Sequence, residues 1–115
     1  MSMFTLRVYH PSVDPYRISE ELGLPPQTAW MAGGEKRETF WQTRLLGNET
    51  GRGDVNSALR DIAARFEHYR FFIDEVRAGG GRVEIAVTGQ EPIAADLHAV
   101  FADLRIDLVI DAPGT

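Results

Sequence analysis

Apolar and polar residues alternate with a period of two at four places in this chain. Phe4, Leu6 and Val8 alternate with Thr5, Arg7 and Tyr9. Val83, Ile85 and Val87 alternate with Arg82, Glu84 and Thr88, and Ile106, Leu108 and Ile110 with Arg105, Asp107 and Asp111. A fourth segment, Thr39 to Leu46, is less regular, with Trp41, Thr43 and Leu45 set against Gln42 and Arg44. Successive strand side chains point to opposite faces, so each segment predicts a strand with one buried face. Such strands suit a mostly antiparallel sheet open to solvent on one side. A doubly wound sheet would show continuous apolar runs instead.

Three further segments have helical spacing. In the longest, Leu59, Ile62, Phe66, Tyr69, Ile73 and Val76 form one apolar stripe, with Asp54 as N-cap and Gly79 as the stop. A shorter helix starts at the Asp14 cap with Pro15 in its first position and ends at Gly23. Val13 and Ile18 are spaced to form a hydrophobic staple across its start. The last helix, about Pro92 to Leu104, is expected to bury Leu97, Val100, Phe101 and Leu104. The predicted order is therefore β-α-β-α-β-α-β. It makes a single α+β domain over residues 1–115, a two-layer sandwich with helices on one face of a four-stranded, mostly antiparallel sheet.

Between the first two predicted strands lies an unusual stretch, Arg7 to Trp41. It holds Pro11, Pro15, Pro25 and Pro26, Gly23, and both tryptophans, Trp30 and Trp41. Fixed and permissive backbone positions interleaved with large rings imply an ordered loop rather than a flexible connector. Both indoles are expected to be buried near one core boundary if the loop folds back onto the sheet edge, with Gly33 needed because backbone passes close to a ring or turns with positive φ. Gly47 to Gly53 is expected to be the most flexible stretch.

Composition narrows the function classes. A chain of 115 residues with 43% hydrophobic content can hide roughly two-thirds of its unfolded surface. Its net charge of -5 argues against a nucleic-acid partner, because phosphate binding needs a clustered positive face. With no cysteine, disulfides and thiolate metal sites are excluded. The N-terminus shows no signal-peptide pattern and no 18-residue apolar run occurs, so a cytoplasmic protein away from membranes is expected. Lys36 is the only lysine among twelve basic residues, a bias that suggests a GC-rich bacterial genome.

Few motifs carry chemistry. Gly79-Gly80-Gly81 closes a helix and enters a strand, the reverse of a phosphate loop, and reads as a helix stop and turn. Arg52-Gly53-Asp54 and the sequon Asn48-Glu49-Thr50 matter only in an exported protein, and read as chance in a polar loop. His68 and His98 flank apolar stripes, and no two histidines share metal-ligand spacing, so no metal or cofactor is expected. His10 ends the first strand before Pro11, four residues from Asp14, although Asp14 already has a role as N-cap. No serine lies in a nucleophile turn, and Glu20 and Glu21 point to different sides of their helix. The open sheet face is expected to show Arg7, Tyr9, Arg82, Glu84, Arg105 and Asp107. It would carry one aromatic, where an RNA-binding sheet displays several.

The pattern R-x-Y-H-P, D-P, I-S, L-G-L-x-P, A-W-x-x-G resembles the bacterial family called domain of unknown function 4279. It is carried by Arg7, Tyr9, His10, Pro11, Asp14, Pro15, Ile18, Leu22, Gly23, Pro26, Trp30, Gly33 and Trp41, with the Ala78-Gly79-Gly80 helix end and Asp107 to Asp111. The likeness covers nearly the whole chain, but Ala112 stands where the pattern has an aromatic. It implies a fold and no reaction.

Two functional expectations follow. The first is a small non-catalytic cytosolic domain that binds another protein. The second is a small-molecule (anion) site or enzyme in a pocket made by His10, Trp30, Arg37 and Trp41 beside the first-helix N-terminus.

Overall fold

The computed structural model describes residues 3–45, 54–89 and 92–111. β1 (Met3–His10) lies at the centre of the sheet, antiparallel to β3 (Thr39–Leu45) on one side and β4 (Arg82–Thr88) on the other. β2 (Thr28–Trp30) adds to the outer edge of β3, and β5 (Asp107–Asp111) runs parallel to β4 at the opposite edge. The order β2-β3-β1-β4-β5 makes a five-stranded mixed sheet in an α+β fold. The four-stranded sheet expected from the sequence thus gains a strand. Three residues, none buried, are too few to show a period of two, and β2 exists because β3 offers it a backbone ladder.

The alternation in the sequence places the core. Phe4, Leu6 and Val8 of β1 and Val83, Ile85 and Val87 of β4 are buried on one face, where the helices cover them. α1 (Pro15–Leu22) contributes Ile18 and Leu22 to this core. α2 (Val55–Phe66) and α3 (Arg70–Ala78) add Leu59, Ile62, Phe66, Ile73 and Val76. α4 (Ala95–Asp103) adds Leu97 and Phe101. Val100 is left 39% exposed instead, and Ile110, opposite Val87 on the helix-covered side, is 54% exposed because β5 is an edge strand.

The long predicted helix is interrupted by a single 3₁₀ turn, Glu67–Tyr69. Its apolar stripe recurs about every 3.4 residues, tighter than the 3.6 of an α-helix, and a turn of 3.0 residues restores the alignment. Phe66 and Tyr69 meet edge to face across that turn, at 5.8 Å.

The helix ends follow the expected chemistry. Asp14 accepts a hydrogen bond from the Tyr16 backbone N–H at 2.8 Å, Pro15 occupies the first turn, and Gly23 closes α1 at φ 66°. Val13 packs against the same core as Ile18, as a staple requires. Asp54 caps α2 through the Ser57 N–H, which holds its carboxyl below the ordinary aspartate range. The triple glycine is a helix stop and turn, as expected. A Cβ on Gly81 would lie 2.3 Å from the Tyr9 carbonyl oxygen, so the chain can enter β4 there only without a side chain. Gly47 to Gly53, with the sequon and all but Asp54 of the Arg-Gly-Asp tripeptide, lies outside the described residues. Among the described residues no helix is long and apolar enough to cross a membrane.

Asp14→Ala and Gly23→Ala are each expected to destabilise the domain by about 1 kcal/mol or somewhat more. The first loses a cap and the second forces a Cβ into a left-handed position. Denaturation midpoints equal to wild type in both variants would contradict this placement of α1.

Candidate functional site

The loop between α1 and β3 is fastened to the sheet by side chains that strand parity turns inward. Thr39, fully buried, donates its hydroxyl to the Val13 carbonyl at 2.6 Å and accepts the Ala32 N–H at 3.0 Å. Thr43 donates to the Pro25 carbonyl at 2.9 Å, and the Gln27 N–H reaches the Gln42 carbonyl at 2.7 Å. Held at these points, the strap from Leu24 to Glu38 lays β2 along β3 and then turns back. Gly33 and Lys36 exchange both backbone hydrogen bonds at 2.9 Å around Gly34 and Glu35, with Gly33 at φ 137°, the second of the two reasons expected for a glycine there.

The consequence is a row of rings on the open face. Register sets Trp30 opposite Phe40, Phe40 opposite Tyr9, and Tyr9 opposite Arg82, so all four share one side of the sheet. Trp30 and Phe40 have centroids 4.7 Å apart, and Phe40 and Tyr9 5.2 Å. The Lys36 ammonium sits 4.3 Å from the Trp30 ring centre at one end, and the Arg82 guanidinium 3.8 Å from that of Tyr9 at the other. Both cations meet the negative face of a ring, an attraction of about 0.5–1 kcal/mol at exposed sites. The row therefore reads Lys36, Trp30, Phe40, Tyr9, Arg82.

A polar row runs beside it. Arg7 donates to Gln42 through Nε at 3.0 Å and to Glu84 through a terminal nitrogen at 3.2 Å. The Tyr9 hydroxyl donates to the same Glu84 oxygen at 3.3 Å. Partial burial, reinforced by the Glu84 charge, raises the Tyr9 pKa above its ordinary value and keeps the phenol a neutral donor. Arg82 also lies 3.7 Å from Glu38.

The residues nominated from the sequence do not form one pocket. Trp41 is fully buried on the core side, where its indole N–H donates to the Ser19 hydroxyl at 2.9 Å. Trp30, 38% exposed, stands on the opposite face, because it pairs with Phe40 while Ala29 pairs with Trp41. The expectation of two buried indoles at one boundary is thus corrected by the parity of neighbouring residues in β3. His10 has a structural role at the end of β1. Its Nδ1 accepts the Ser12 and Val13 N–H groups at 3.0 and 2.9 Å, and a Cβ on Gly79 would sit 2.5 Å from its Nε2. Arg37 is exposed beside Lys36, with no hydrogen bond or ion pair among the described residues. Nor is Arg105 on the open face: it precedes β5 at φ 63° and pairs with Asp74 at 3.6 Å.

Sequence reasoning missed Phe40 and misplaced Trp30. Phe40 was legible, since Thr39, Trp41 and Thr43 point inward and leave it outward with Gln42. Trp30 was not, because its strand is too short to show a face. A void of about 10 Å³ under β1, lined by apolar side chains such as Leu6, Phe66 and Ile73, is too small for any ligand. Among the described residues no group of three or more acidic or histidine side chains could hold a metal.

No protein-family model, no curated protein and no solved structure matches this chain.

The two indoles should behave oppositely in solution. Iodide is expected to quench the Trp30 emission in the folded protein and to leave Trp41 nearly untouched, so that Trp30→Phe removes most of the quenching. Trp41→Ala should cost about 3–5 kcal/mol by aromatic truncation. Trp30→Ala should cost about 1–2 kcal/mol, from one ring pair and one cation contact. Equal quenching of both indoles would contradict their separation across the sheet.

Proposed function

We propose that this chain is a small, non-catalytic binding domain that takes a protein partner on the open face of its sheet. The row of Trp30, Phe40 and Tyr9 between Lys36 and Arg82 carries the reading. Tryptophan, tyrosine and arginine are the residues most enriched in binding hot spots, and here they stand together on rigid strands. Arg7, Tyr9 and Trp30, which contribute to the resemblance with the family of domain of unknown function 4279, all lie on this face. Membership of that family and a bacterial, cytosolic setting belong to the same proposal. The competing anion pocket has no comparable support, since Trp41 and Trp30 are on different sides of the sheet.

The direct test is co-purification from the source cell with wild-type, Trp30→Ala and Phe71→Ser chains. Phe71 is 91% exposed on α3, in the helical layer opposite the row. A stoichiometric protein partner is expected with wild type and Phe71→Ser and lost with Trp30→Ala, at unchanged circular dichroism. A partner that survives Trp30→Ala but is lost with Phe71→Ser would move the binding surface to the helices.

A further inference from the structure

We infer that the occupant of the open face is an acidic polypeptide segment bearing aromatic side chains; this rests on the binding reading above. The first observation is how charge is distributed. On the helical side, Arg17 pairs with Glu75, Arg60 with Asp96, Arg70 with Glu67 and Asp103, and Arg77 with Asp107 at the sheet edge, which leaves Arg65 of α2 as the arginine there without an ion pair among the described residues. Around the aromatic row the balance is different. Lys36, Arg37 and Arg44 have no carboxylate partner among the described residues; Arg44 stands on the open face opposite Thr5. Glu84 is already engaged by Arg7 and Tyr9, and Glu38 by Arg82. Glu35, exposed at the tip of the Gly33–Lys36 turn, is the acid that tempers the patch. In a chain of net charge -5, Lys36 and Arg37 at the Trp30 end of the row, with Arg44 farther along the same face, mark where an acidic partner is drawn in.

The second observation is how the rings are presented. Lys36 sits over the Trp30 ring, Phe40 packs against the same ring with a 31° tilt between planes, and Arg82 lies over Tyr9. Trp30 keeps 38% of its surface exposed, and the edge of an aromatic ring is the positive part of its quadrupole. Ring edges and flanking cations together favour carboxylate oxygens. An aromatic side chain of the partner can pack against the Trp30 rim. The cations over Trp30 and Tyr9 also compete for the ring faces on which the bases of a single-stranded nucleic acid would stack. The spacing of 4.7 to 5.2 Å also leaves no slot between rings for a proline or a base.

The test uses defined probes on the intact chain: a random glutamate–tyrosine copolymer and oligothymidylate, followed by Trp30 fluorescence and calorimetry at low and moderate salt. The copolymer is expected to bind, more weakly as salt rises, and to shift the Trp30 emission. Trp30→Ala and Arg37→Glu should each weaken it at least tenfold. Arg65→Glu, which reverses an exposed charge on α2 far from the row, should change it less than twofold. Arg37→Glu keeps the test decisive should Trp30→Ala fail to fold. No copolymer binding, equal weakening by Arg65→Glu and Arg37→Glu, or tighter Trp30-dependent binding of oligothymidylate would each overturn the inference. A chain that ignores the copolymer yet loses its cellular partner with Trp30→Ala keeps the binding face and loses only the acidic occupant.

Discussion

The register of β3 against β1 is the constraint on which the rest depends. A slip of one residue would send Trp41 to solvent and Phe40 into the core, exchanging both faces at once. Two buried hydroxyls help to fix it. Thr39 and Thr43 each need a hydrogen-bond partner out of water, and they find carbonyls at Val13 and Pro25. Those carbonyls belong to the segments flanking α1. The register therefore also fixes where the helix and the strap after it attach. With Trp41 bonded to Ser19 from below, α1 and β3 are joined by polar contacts inside an otherwise apolar layer.

Given that register, the open face follows with little freedom. Strands lie about 4.8 Å apart, and rings at matching positions on three neighbouring strands must stack at nearly that distance. Trp30 does more than join the row. β2 has only three residues, and the Trp30–Phe40 contact with Lys36 above it is what a short edge strand lacks in backbone pairing. The surface that we assign to binding and the interaction that holds the edge in place are thus the same residues. That overlap is why a readout of stability and a readout of binding must be taken separately at Trp30, and why Arg37, which makes no hydrogen bond or ion pair among the described residues, is the cleaner probe.

The sequence made the scaffold legible where a single local rule decides. Period-two alternation located the core faces of β1, β3 and β4, and the Asp14-Pro15 start with Gly23 at the end located α1. It failed where tertiary contact decides. β2 is created by the strap and not by any preference of Thr28 to Trp30, so the partner of Phe40 could not be seen. Val100 carries the helical spacing of a core residue but is left exposed, because α4 packs through Leu97 and Phe101. His10 looked like chemistry at a strand end, and its acceptor nitrogen instead organises the turn that leads to α1. Size marks both tryptophans in the sequence, yet which side each takes depends on one residue of register.

The most direct measurement of the central claim is the nuclear magnetic resonance spectrum of the side chains on the open face. With the row assembled, cross-relaxation should connect the Trp30 ring to Phe40 and the Phe40 ring to Tyr9. The Lys36 side-chain methylene protons beside its ammonium should move upfield under the Trp30 ring current. Lys36 resonances at their unstructured positions, with Trp30 contacts to Ile18 or Leu22 of the core, would place the indole on the wrong side of the sheet and contradict the proposed binding face.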